Sequence, residues 1–510
     1  PKMSPTRAPA PIAKLAPPKV SRVTAMNAPI NAPTSTMNAT IRPLTAVLFS
    51  AAILMIGNGL LGLLIPLRAG AEGFSGVDIG ILGSAYFGGF VAGCFITPSI
   101  ISRVGHIRAF AGFTALLTIT PLLQAIWTVA PAWWLLRVVA GFCFASLYMV
   151  MESWLNDAAN KQNRGQIFSL YTMLNMGGMM VGMQLMVAGP TEGFELFSLA
   201  AVIFSLACLP IALTRSAAPA PPKRVRLRIA WLFKVSPSAF IGSVCTGVAN
   251  GAFLTLAALY AKELGFAPAL AALFVSSALL GGTLAEWPIG ILSDRLGRRF
   301  MTLLSCSIAA AAGVLLFIWG SIDVAPIGVA NPLETGALAV VPALGLAILY
   351  GAFAFPNYAL NVAHANDLVA RRRAVQVSGG LLLVFSLGAA VGPLLASLLV
   401  DLLGYRAVFL TTAVAHISLV AALLFRSVLR PDLPDTHQED FVGAPRTTPA
   451  AYDFDPRTPY EESDPAVEPA PVEPAAAEGA KETGPETGPE TGQGMGDGSA
   501  KPTKAPEPAA

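Results

Sequence analysis

The chain has 510 residues, of which 54% are hydrophobic and only 12% are charged, and its mean hydropathy is +0.62. Soluble domains carry about 25% charged residues, so this composition excludes an ordinary water-soluble enzyme. The formal net charge of +3 hides a division, because residues 1–430 hold 28 Lys and Arg against 13 Asp and Glu, whereas residues 431–510 hold 5 against 17. The near-neutral total is therefore uninformative about charged partners.

Both ends of the chain lack long apolar stretches. Residues 1–43 are rich in Pro, Ala and Thr and contain cations without acids, and residues 431–510 are rich in Pro, Ala, Glu and Gly. Such compositions bury too little apolar area to offset the entropy of ordering. The sequence therefore predicts a disordered basic leader over 1–43 and a disordered acidic tail over 431–510.

Apolar runs of about 20 residues recur between the two ends, which is the length a helix needs to cross about 30 Å of hydrocarbon. Alternating ten-residue patterns typical of an outer-membrane barrel are missing from the sequence. We therefore predict an all-α membrane protein with twelve transmembrane helices. The predicted spans are 44–67, 78–100, 109–129, 132–154, 166–187, 194–213, 236–260, 268–291, 301–319, 337–361, 376–400 and 406–426.

The cations alternate between the loops. Loops after odd-numbered spans carry only Arg68, Lys262 and Arg406. The positive-inside rule predicts that the even-numbered loops and both termini lie in the cytoplasm. We expect the membrane to be the inner membrane of the cell. The longest basic loop, 214–235, separates a lobe over 44–213 from a lobe over 236–430. The even-numbered loops carry Arg103, Arg108, Lys161, Arg164, Arg215, Lys223, Arg224, Arg226, Arg228, Lys234, Arg295, Arg298, Arg299, Arg371, Arg372 and Arg373.

The two halves of the chain repeat each other. At an offset of 192 residues, Asn58 and Gly59 match Asn250 and Gly251, and from the fourth span onward the offset becomes 210. A duplicated six-helix unit is typical of a transporter with its site at the interface of two lobes. Further matching pairs are Gly89 with Gly281, Arg103 with Arg295, Gly141 with Gly351, and Asp157 with Asp367.

The strongest local motif closes the eighth span and runs Gly-Ile-Leu-Ser-Asp-Arg-Leu-Gly-Arg-Arg over 290–299. The glycine before the last two arginines permits a tight turn, and the arginines can reach carboxylates or lipid phosphates. This segment resembles the signature of the major facilitator superfamily, which implies two six-helix lobes that rock about a central site. In the first half, Ser102 replaces the aspartate, so we expect an incomplete charge network there. The predicted gating residues are Gly290, Asp294, Arg295, Gly297, Arg298, Arg299, Asp157, Arg164 and Asp367.

The fourth span carries a second resemblance. Its Arg-Val-Val-Ala-Gly segment, beginning at Arg137, resembles the intramembrane arginine motif of the superfamily. The string Glu-Ser-Trp-Leu-Asn-Asp over 152–157 is similar to the YcaD-like branch, as is His-Ala-Asn-Asp over 364–367. The resemblance covers about 40–430 and implies little about the solute.

Arg137, Tyr148 and Glu152 share one face of the fourth helix at 100° per residue. Charges are costly in hydrocarbon, so these side chains should face protein or water. Arg137 is predicted to bind solute or relay protons, or else to bond backbone carbonyls of the first helix. Glu152 is predicted to exchange protons or to serve a structural cap. The two lie about 22 Å apart along the helix, which excludes a direct pair.

Other intramembrane polar residues complete the prediction. Asn58 and Asn250 occupy matching places, which favours cavity lining over simple helix–helix bonds. Glu286 and His364 are further proton-coupling candidates. For Glu286, an ion pair with the basic loop residues is an equally good explanation. For His364, a structural hydrogen bond is the better explanation. The predicted lining residues are Asn58, Arg137, Tyr148, Asn250, Asn357, Tyr358 and Asn361, and the proton-coupling candidates are Glu152, Glu286 and His364.

No Walker loop, GxSxG, HExxH or Cys/His metal spacing occurs in the sequence, so we expect neither an enzyme nor a cofactor or bound metal. The arginines over 223–228 suit anionic lipid better than nucleic acid. We predict a monomeric secondary transporter in the lipid bilayer that moves a small organic solute by alternating access with proton coupling. The alternatives are a non-transporting receptor or scaffold that signals through the acidic tail, and a membrane-embedded enzyme.

Overall fold

The structure is a computed structural model in which the described residues fold almost entirely into helices. The cations predicted for the loops at Lys161, over 215–228 and at Arg371 and Arg372 lie outside the described residues, as does most of the leader and the tail. The described residues are 34–159, 163–213, 229–322, 337–369, 373–429, 441, 443 and 446–454.

Six helices form the N-terminal lobe. The second begins with a capping box, because the Ser75 hydroxyl accepts a hydrogen bond from the Asp78 backbone amide while the Asp78 carboxylate accepts one from the Ser75 backbone amide. The helices are α1 (Thr34–Ala71), α2 (Gly76–Val104), α3 (His106–Ile126), α4 (Ala130–Ala158), α5 (Arg164–Gln184) and α6 (Glu195–Ala212).

The C-terminal lobe repeats this arrangement after a short connecting helix. Its tenth predicted span is broken near Pro356 into two helices, since proline removes a backbone hydrogen-bond donor. The helices are α7 (Ile229–Val235), α8 (Pro237–Glu263), α9 (Pro268–Leu296), α10 (Arg298–Trp319), α11 (Ala337–Ala354), α12 (Asn357–Asn366), α13 (Ala374–Ser397), α14 (Val400–Leu403) and α15 (Ala407–Leu429).

Eleven segments of the described chain are long and apolar enough to cross a membrane, with α11 and α12 together forming one of them. The predicted span that is missing from these eleven is α5. Its 21 residues include several Gly, Asn and Gln, which lower its mean hydropathy. This helix nevertheless packs along α1 as a member of the bundle. In addition, α1 begins at Thr34, so 34–43 is helical where the sequence predicts a disordered leader. Extending an existing helix adds one hydrogen bond per residue without a new nucleation cost.

Matching glycines bring matching helices into contact in the two lobes. A Cβ at Gly59 in α1 would overlap a backbone carbonyl of α5, and a Cβ at Gly251 in α8 would overlap one of α13. Likewise, a Cβ at Gly141 in α4 would overlap a carbonyl of α2, and one at Gly351 in α11 would overlap a carbonyl of α9. The sequence duplication is therefore a duplication of helix packing.

The lobes touch directly at the end where α2 and α9 begin, which we call the closed end. There Gly80 of α2 lies against Ser397 of α13, with no room for a Cβ at Gly80. The Gln184 side-chain amide of α5 donates a hydrogen bond to the Ser276 hydroxyl of α9 at 2.9 Å. The opposite end, where α2 and α9 finish, is called the basic end.

Part of the predicted disordered tail is packed between the lobes at the basic end. Its 3-10 turn, Pro449–Phe454, contacts α4 and α5 of one lobe and α13 of the other. Tyr452 is 2% exposed and Ala451 is 1% exposed. Average composition over the tail did not predict this turn, because the ring of the single residue Tyr452 buries apolar area that the surrounding Pro, Ala and Glu side chains do not offer.

Candidate functional site

A cavity of about 190 Å³ lies between the two lobes. One wall comes from α1, α2, α4 and α5, and the other comes from α8, α9 and α13, so both repeats contribute. The wall includes Asn58, Arg137, Tyr148 and Asn250, four of the seven residues predicted to line it. Most of the remaining wall is apolar, with methionines from α5 and aromatic side chains from α2 and α13.

Arg137 is the cation that α4 contributes to this cavity. Its guanidinium carbon lies 4.4 Å from the ring centroid of Tyr86, and its Nε faces the Leu82 carbonyl oxygen at 3.5 Å. The carbonyl belongs to α2, whereas the sequence pointed to carbonyls of the first helix. Among the described residues, no carboxylate lines the cavity and none forms an ion pair with Arg137. The charge is therefore balanced only by a ring quadrupole and a backbone dipole.

Asn250 carries the least satisfied polar group of the wall. It is 1% exposed, and neither its amide nitrogen nor its amide oxygen hydrogen-bonds within the described part of the chain. An unpaired buried amide costs about 1 to 3 kcal/mol. Tyr148, in contrast, is satisfied locally, because its hydroxyl lies 2.8 Å from the Met55 sulfur. A donor and an acceptor are thus available at Asn250 for a group inside the cavity.

The structure places the other three predicted lining residues in the packed interior of the C-terminal lobe. The Asn357 amide donates to the Phe353 carbonyl at 2.8 Å, and the Asn361 amide faces the Thr246 hydroxyl at 3.5 Å. Tyr358 bonds Tyr452 of the tail through the two hydroxyls. The prediction assumed one continuous tenth helix, whereas the chain forms α11 and α12 on either side of a break near Pro356.

Glu152 lies deeper toward the basic end than the cavity wall and is fully buried. The Tyr171 hydroxyl donates to its Oε1 at 3.2 Å, and the Thr448 hydroxyl donates to its Oε2. The Glu152 carboxylate therefore accepts hydrogen bonds from a helix of the N-terminal lobe and from the tail. It lies about 22 Å from Arg137 along α4 at the helical rise of about 1.5 Å per residue.

The other two proton-coupling candidates do not line the cavity. Glu286 of α9 lies beside the tail, where it interacts electrostatically with Arg446 and approaches Gly443. His364 lies half-buried near the basic-end terminus of α12 and takes part in an interaction there.

Arg446 is a site residue that sequence reasoning missed. It lines the cavity, and its guanidinium lies 5.3 Å from the ring centroid of Phe355. Burial lowers the pKa of Arg446, and the nearby Glu286 carboxylate opposes that shift. Composition hid this residue, because it is one of few cations in a strongly acidic tail.

The signature motif of the C-terminal lobe forms a compact charge network. Arg298, the first residue of α10, pairs with Asp294 near the end of α9, and its Nε lies 3.2 Å from Asp367 Oδ2 at the end of α12. Its Nη1 also donates to the Ser293 hydroxyl at 2.6 Å. The turn between α9 and α10 requires glycine, because Gly297 has a φ of +89°.

The other predicted gating residues of the motif and of α5 lie outside this charge network. Arg295 is exposed, and Arg299 faces the Leu423 carbonyl at 3.4 Å. Gly290 is closed over by Phe441, because a Cβ there would overlap the phenyl ring. Arg164 begins α5 and is buried at 8% exposure.

The first-half copy keeps the turn but changes the chemistry. Gly105 has a φ of +81° and so reproduces the turn of the second half. At the 192-residue offset His106 replaces the buried arginine, and its Nε2 lies 3.0 Å from the Ser153 hydroxyl. Asp157 is exposed and interacts with this ring electrostatically. With Ser102 and His106 at the matching positions, the N-terminal lobe lacks the aspartate and the buried arginine of its counterpart.

Metal ligation is not a feature of the described residues, which contain no group of three or more His, Cys, Asp or Glu side chains arranged to hold an ion. The five cysteines are free thiols.

Two repeated six-helix lobes around a shared cavity are typical of one class of membrane transporters, the secondary transporters built from repeats. The family profile described as Major Facilitator Superfamily matches residues 47–352 and 335–474. The chain belongs to the Major Facilitator Superfamily, a family of secondary transporters.

Among curated proteins, the chain is similar to a protein named uncharacterized MFS-type transporter YcaD. The sequences from Shigella flexneri and from Escherichia coli are each 25% identical over 398 residues, which span 76% of this chain and 96% of the relative. These relatives support the YcaD-like resemblance of the fourth-span motif.

Solved structures show the same fold. The nucleoside transporter NupG matches with a TM-score of 0.62 at 16% identity, covering 75% of this chain and 98% of NupG. A bacterial homologue of the human lysosomal transporter Spinster, in an inward-facing and unoccupied conformation, matches with a TM-score of 0.56 at 15% identity, covering 83% and 99%.

Proposed function

We propose that this protein is a secondary transporter that moves a small organic anion through the central cavity by alternating access. The observation that carries the proposal is the cavity itself, which is shared by both repeats and whose wall includes Arg137 and the unpaired amide of Asn250. Transporters of this architecture bind their solute at the interface of the repeats. The chain works as a monomer in the inner membrane, with its basic end toward the cytoplasm.

The chemistry of the wall supports the choice of solute. A guanidinium without a carboxylate partner favours a carboxylate or phosphate group in a site of low dielectric constant. The amide of Asn250 offers a hydrogen-bond donor and an acceptor for a neighbouring polar group. The methionine and aromatic surface suits an apolar body. An organic anion with an apolar skeleton meets all three requirements.

Ligand binding to the detergent-purified protein tests this proposal. We expect carboxylates with apolar skeletons to raise the unfolding temperature, because a ligand that binds only the folded state stabilises it by mass action. The matching neutral amides should have a smaller effect. Arg137→Gln should abolish the difference between acid and amide. Equal shifts for acids and amides, or an unchanged preference in Arg137→Gln, would contradict the anionic class.

Proton coupling through Glu152 is part of the same proposal. The carboxylate is buried between hydroxyl donors of α5 and of the tail, so its protonation state would change the contacts between these elements. Vesicle uptake of a solute found by the binding screen should be driven by a pH gradient, and Glu152→Gln should lose this drive while retaining solute binding. The exposed Glu195 at the start of α6 provides the control Glu195→Gln. Full gradient-driven uptake by Glu152→Gln would argue against the assignment.

A further inference from the structure

A segment of the acidic tail occupies the groove between the lobes at the basic end. We call residues 441–454 the strap; of these, 441, 443 and 446–454 are described. The strap follows α15 in the chain and therefore reaches the groove from the C-terminal lobe. Its contacts fall into three groups, one on the signature motif, one on the N-terminal lobe and one on the cavity.

The first contact is made by Phe441 on the signature motif. Its backbone N–H donates to Asp294 Oδ2 at 3.0 Å, and its ring covers Gly290. The Arg298 guanidinium lies 5.7 Å from the centroid of the same ring. Three residues of the motif assigned to gating are therefore engaged by one residue of the strap.

The second contact reaches across to the N-terminal lobe. The Thr448 hydroxyl donates to the buried Glu152 carboxylate of α4, and Thr448 itself is 0% exposed. Four residues later, the Tyr452 hydroxyl bonds the Tyr358 hydroxyl of α12 in the C-terminal lobe. One turn of the strap is thus tied to both lobes at once.

The third contact covers the cavity. Arg446 lines the cavity wall from the strap and stacks near Phe355, between α11 and α12. Its charge lies near Glu286 of α9. When the strap is in place, this guanidinium joins Arg137 as a second cation on the wall of the cavity.

We propose that the strap is an intramolecular ligand of the groove at the basic end and that it arrests the carrier with the closed end shut. The arrest rests on the proposed function, because it requires that the lobes rock. Rocking closes the basic end and brings α4 toward α12, but the strap fills the space between them, and packed protein surfaces do not interpenetrate. The strap must leave the groove before the closed end can open.

Thiol labelling tests both parts without a known solute. Thr447→Cys places a thiol in the strap, where Thr447 is 9% exposed and its hydroxyl has no hydrogen-bond partner in the described chain. Ser397→Cys places a thiol at the closed end, where Ser397 is 0% exposed. Each variant is reacted with a maleimide in detergent, and the rate at the introduced thiol is read by mass spectrometry so that the native cysteines are kept.

The labelling rate of the thiol at position 447 measures whether the strap is bound in the groove. We expect this thiol in the full chain to react about tenfold or more slowly than a thiol introduced by Ser427→Cys, since a buried group reacts only during local opening. Adding Phe441→Ala and Tyr452→Ala, which remove contacts of the strap itself, should raise the rate at 447 by about tenfold or more. Equal rates at 447 and 427 in the full chain would overturn the proposal.

The labelling rate of the thiol at position 397 measures whether the closed end opens. Deletion of 441–454 should raise the labelling rate there by about tenfold or more, whereas deletion of 470–483, a tail segment of equal length, should leave it unchanged. A high rate at 397 already in the full chain would show that the lobes rock despite the strap, which overturns the arrest and leaves the transport proposal standing. A low rate in every variant, with the strap released, would show that the lobes do not rock and would overturn both.

Discussion

Thr448 donates a hydrogen bond to Glu152, although the two residues are 296 positions apart along the chain. Glu152 is the buried carboxylate of the fourth span, and Thr448 belongs to a tail whose composition predicts disorder. The contact joins a candidate for proton coupling to a segment that packs between the lobes.

Removing the Thr448 hydroxyl should loosen the strap. We expect Thr448→Val to increase hydrogen exchange at the Phe441 amide, because the substitution takes one donor from a buried carboxylate and costs about 1 to 3 kcal/mol. Thr447→Val is the matched control, since the neighbouring hydroxyl makes no hydrogen bond in the described chain. Hydrogen exchange read by mass spectrometry distinguishes the two. Equal exchange in both variants would show that the contact does not hold the strap.

Breaking the signature network should destabilise the protein strongly. Arg298→Ala leaves Asp367 buried, with a side-chain exposure of 2%, and without its arginine. Removing one partner of a buried pair costs about 3 to 5 kcal/mol. Arg295→Ala removes an exposed arginine three positions earlier and should change the free energy of unfolding by about 0.5 kcal/mol or less. Reversible unfolding in mixed micelles measures both, and similar losses would contradict the network.

Replacing Asn250 by leucine should stabilise the empty carrier while impairing binding. Leucine keeps the branched skeleton of asparagine, and the substitution removes an amide whose two polar atoms have no partner in the described chain, so we expect the unfolding temperature without ligand to rise or stay unchanged. Asn361→Leu removes an amide that faces the Thr246 hydroxyl and should lower the unfolding temperature. Organic anions should then fail to raise the unfolding temperature of Asn250→Leu. A large loss of stability in that variant would indicate that the amide has a structural partner.

A methyl group at the helix crossing of the N-terminal lobe should separate α2 from α4. We expect Gly141→Ala to cost about 1 to 3 kcal/mol, because its Cβ would overlap a backbone carbonyl that cannot move independently of the helix. Gly112→Ala in α3 is the control, since a Cβ there has no neighbour within 4 Å and alanine favours helix. The unfolding temperature in detergent should fall only for Gly141→Ala. Comparable stability of the two variants would mean that the helices are not in close contact.

The site was only partly predictable from local patterns. Four of the predicted lining residues reach the cavity: Arg137 and Tyr148 share a face of α4 that can be counted at 100° per residue, and Asn58 and Asn250 occupy matching places in the two repeats. The other three lie on α12, beyond the break near Pro356, and hydrogen-bond within packed protein instead; they are Asn357, Tyr358 and Asn361. Arg446 was missed because no periodicity or motif marks it.

The amino-acid sequence by itself determined the membrane bundle and the duplication. Each depends on information within about 20 residues or on a fixed repeat: hydrocarbon thickness sets the length of the spans, and constant offsets between matching residues mark the two halves. Only the tertiary structure decided the close contacts at the matching glycines, the break between α11 and α12, the unpaired amide of Asn250 and the position of the strap. These depend on surfaces brought together across hundreds of residues, where burial and hydrogen-bond partners, not local composition, set the free energy.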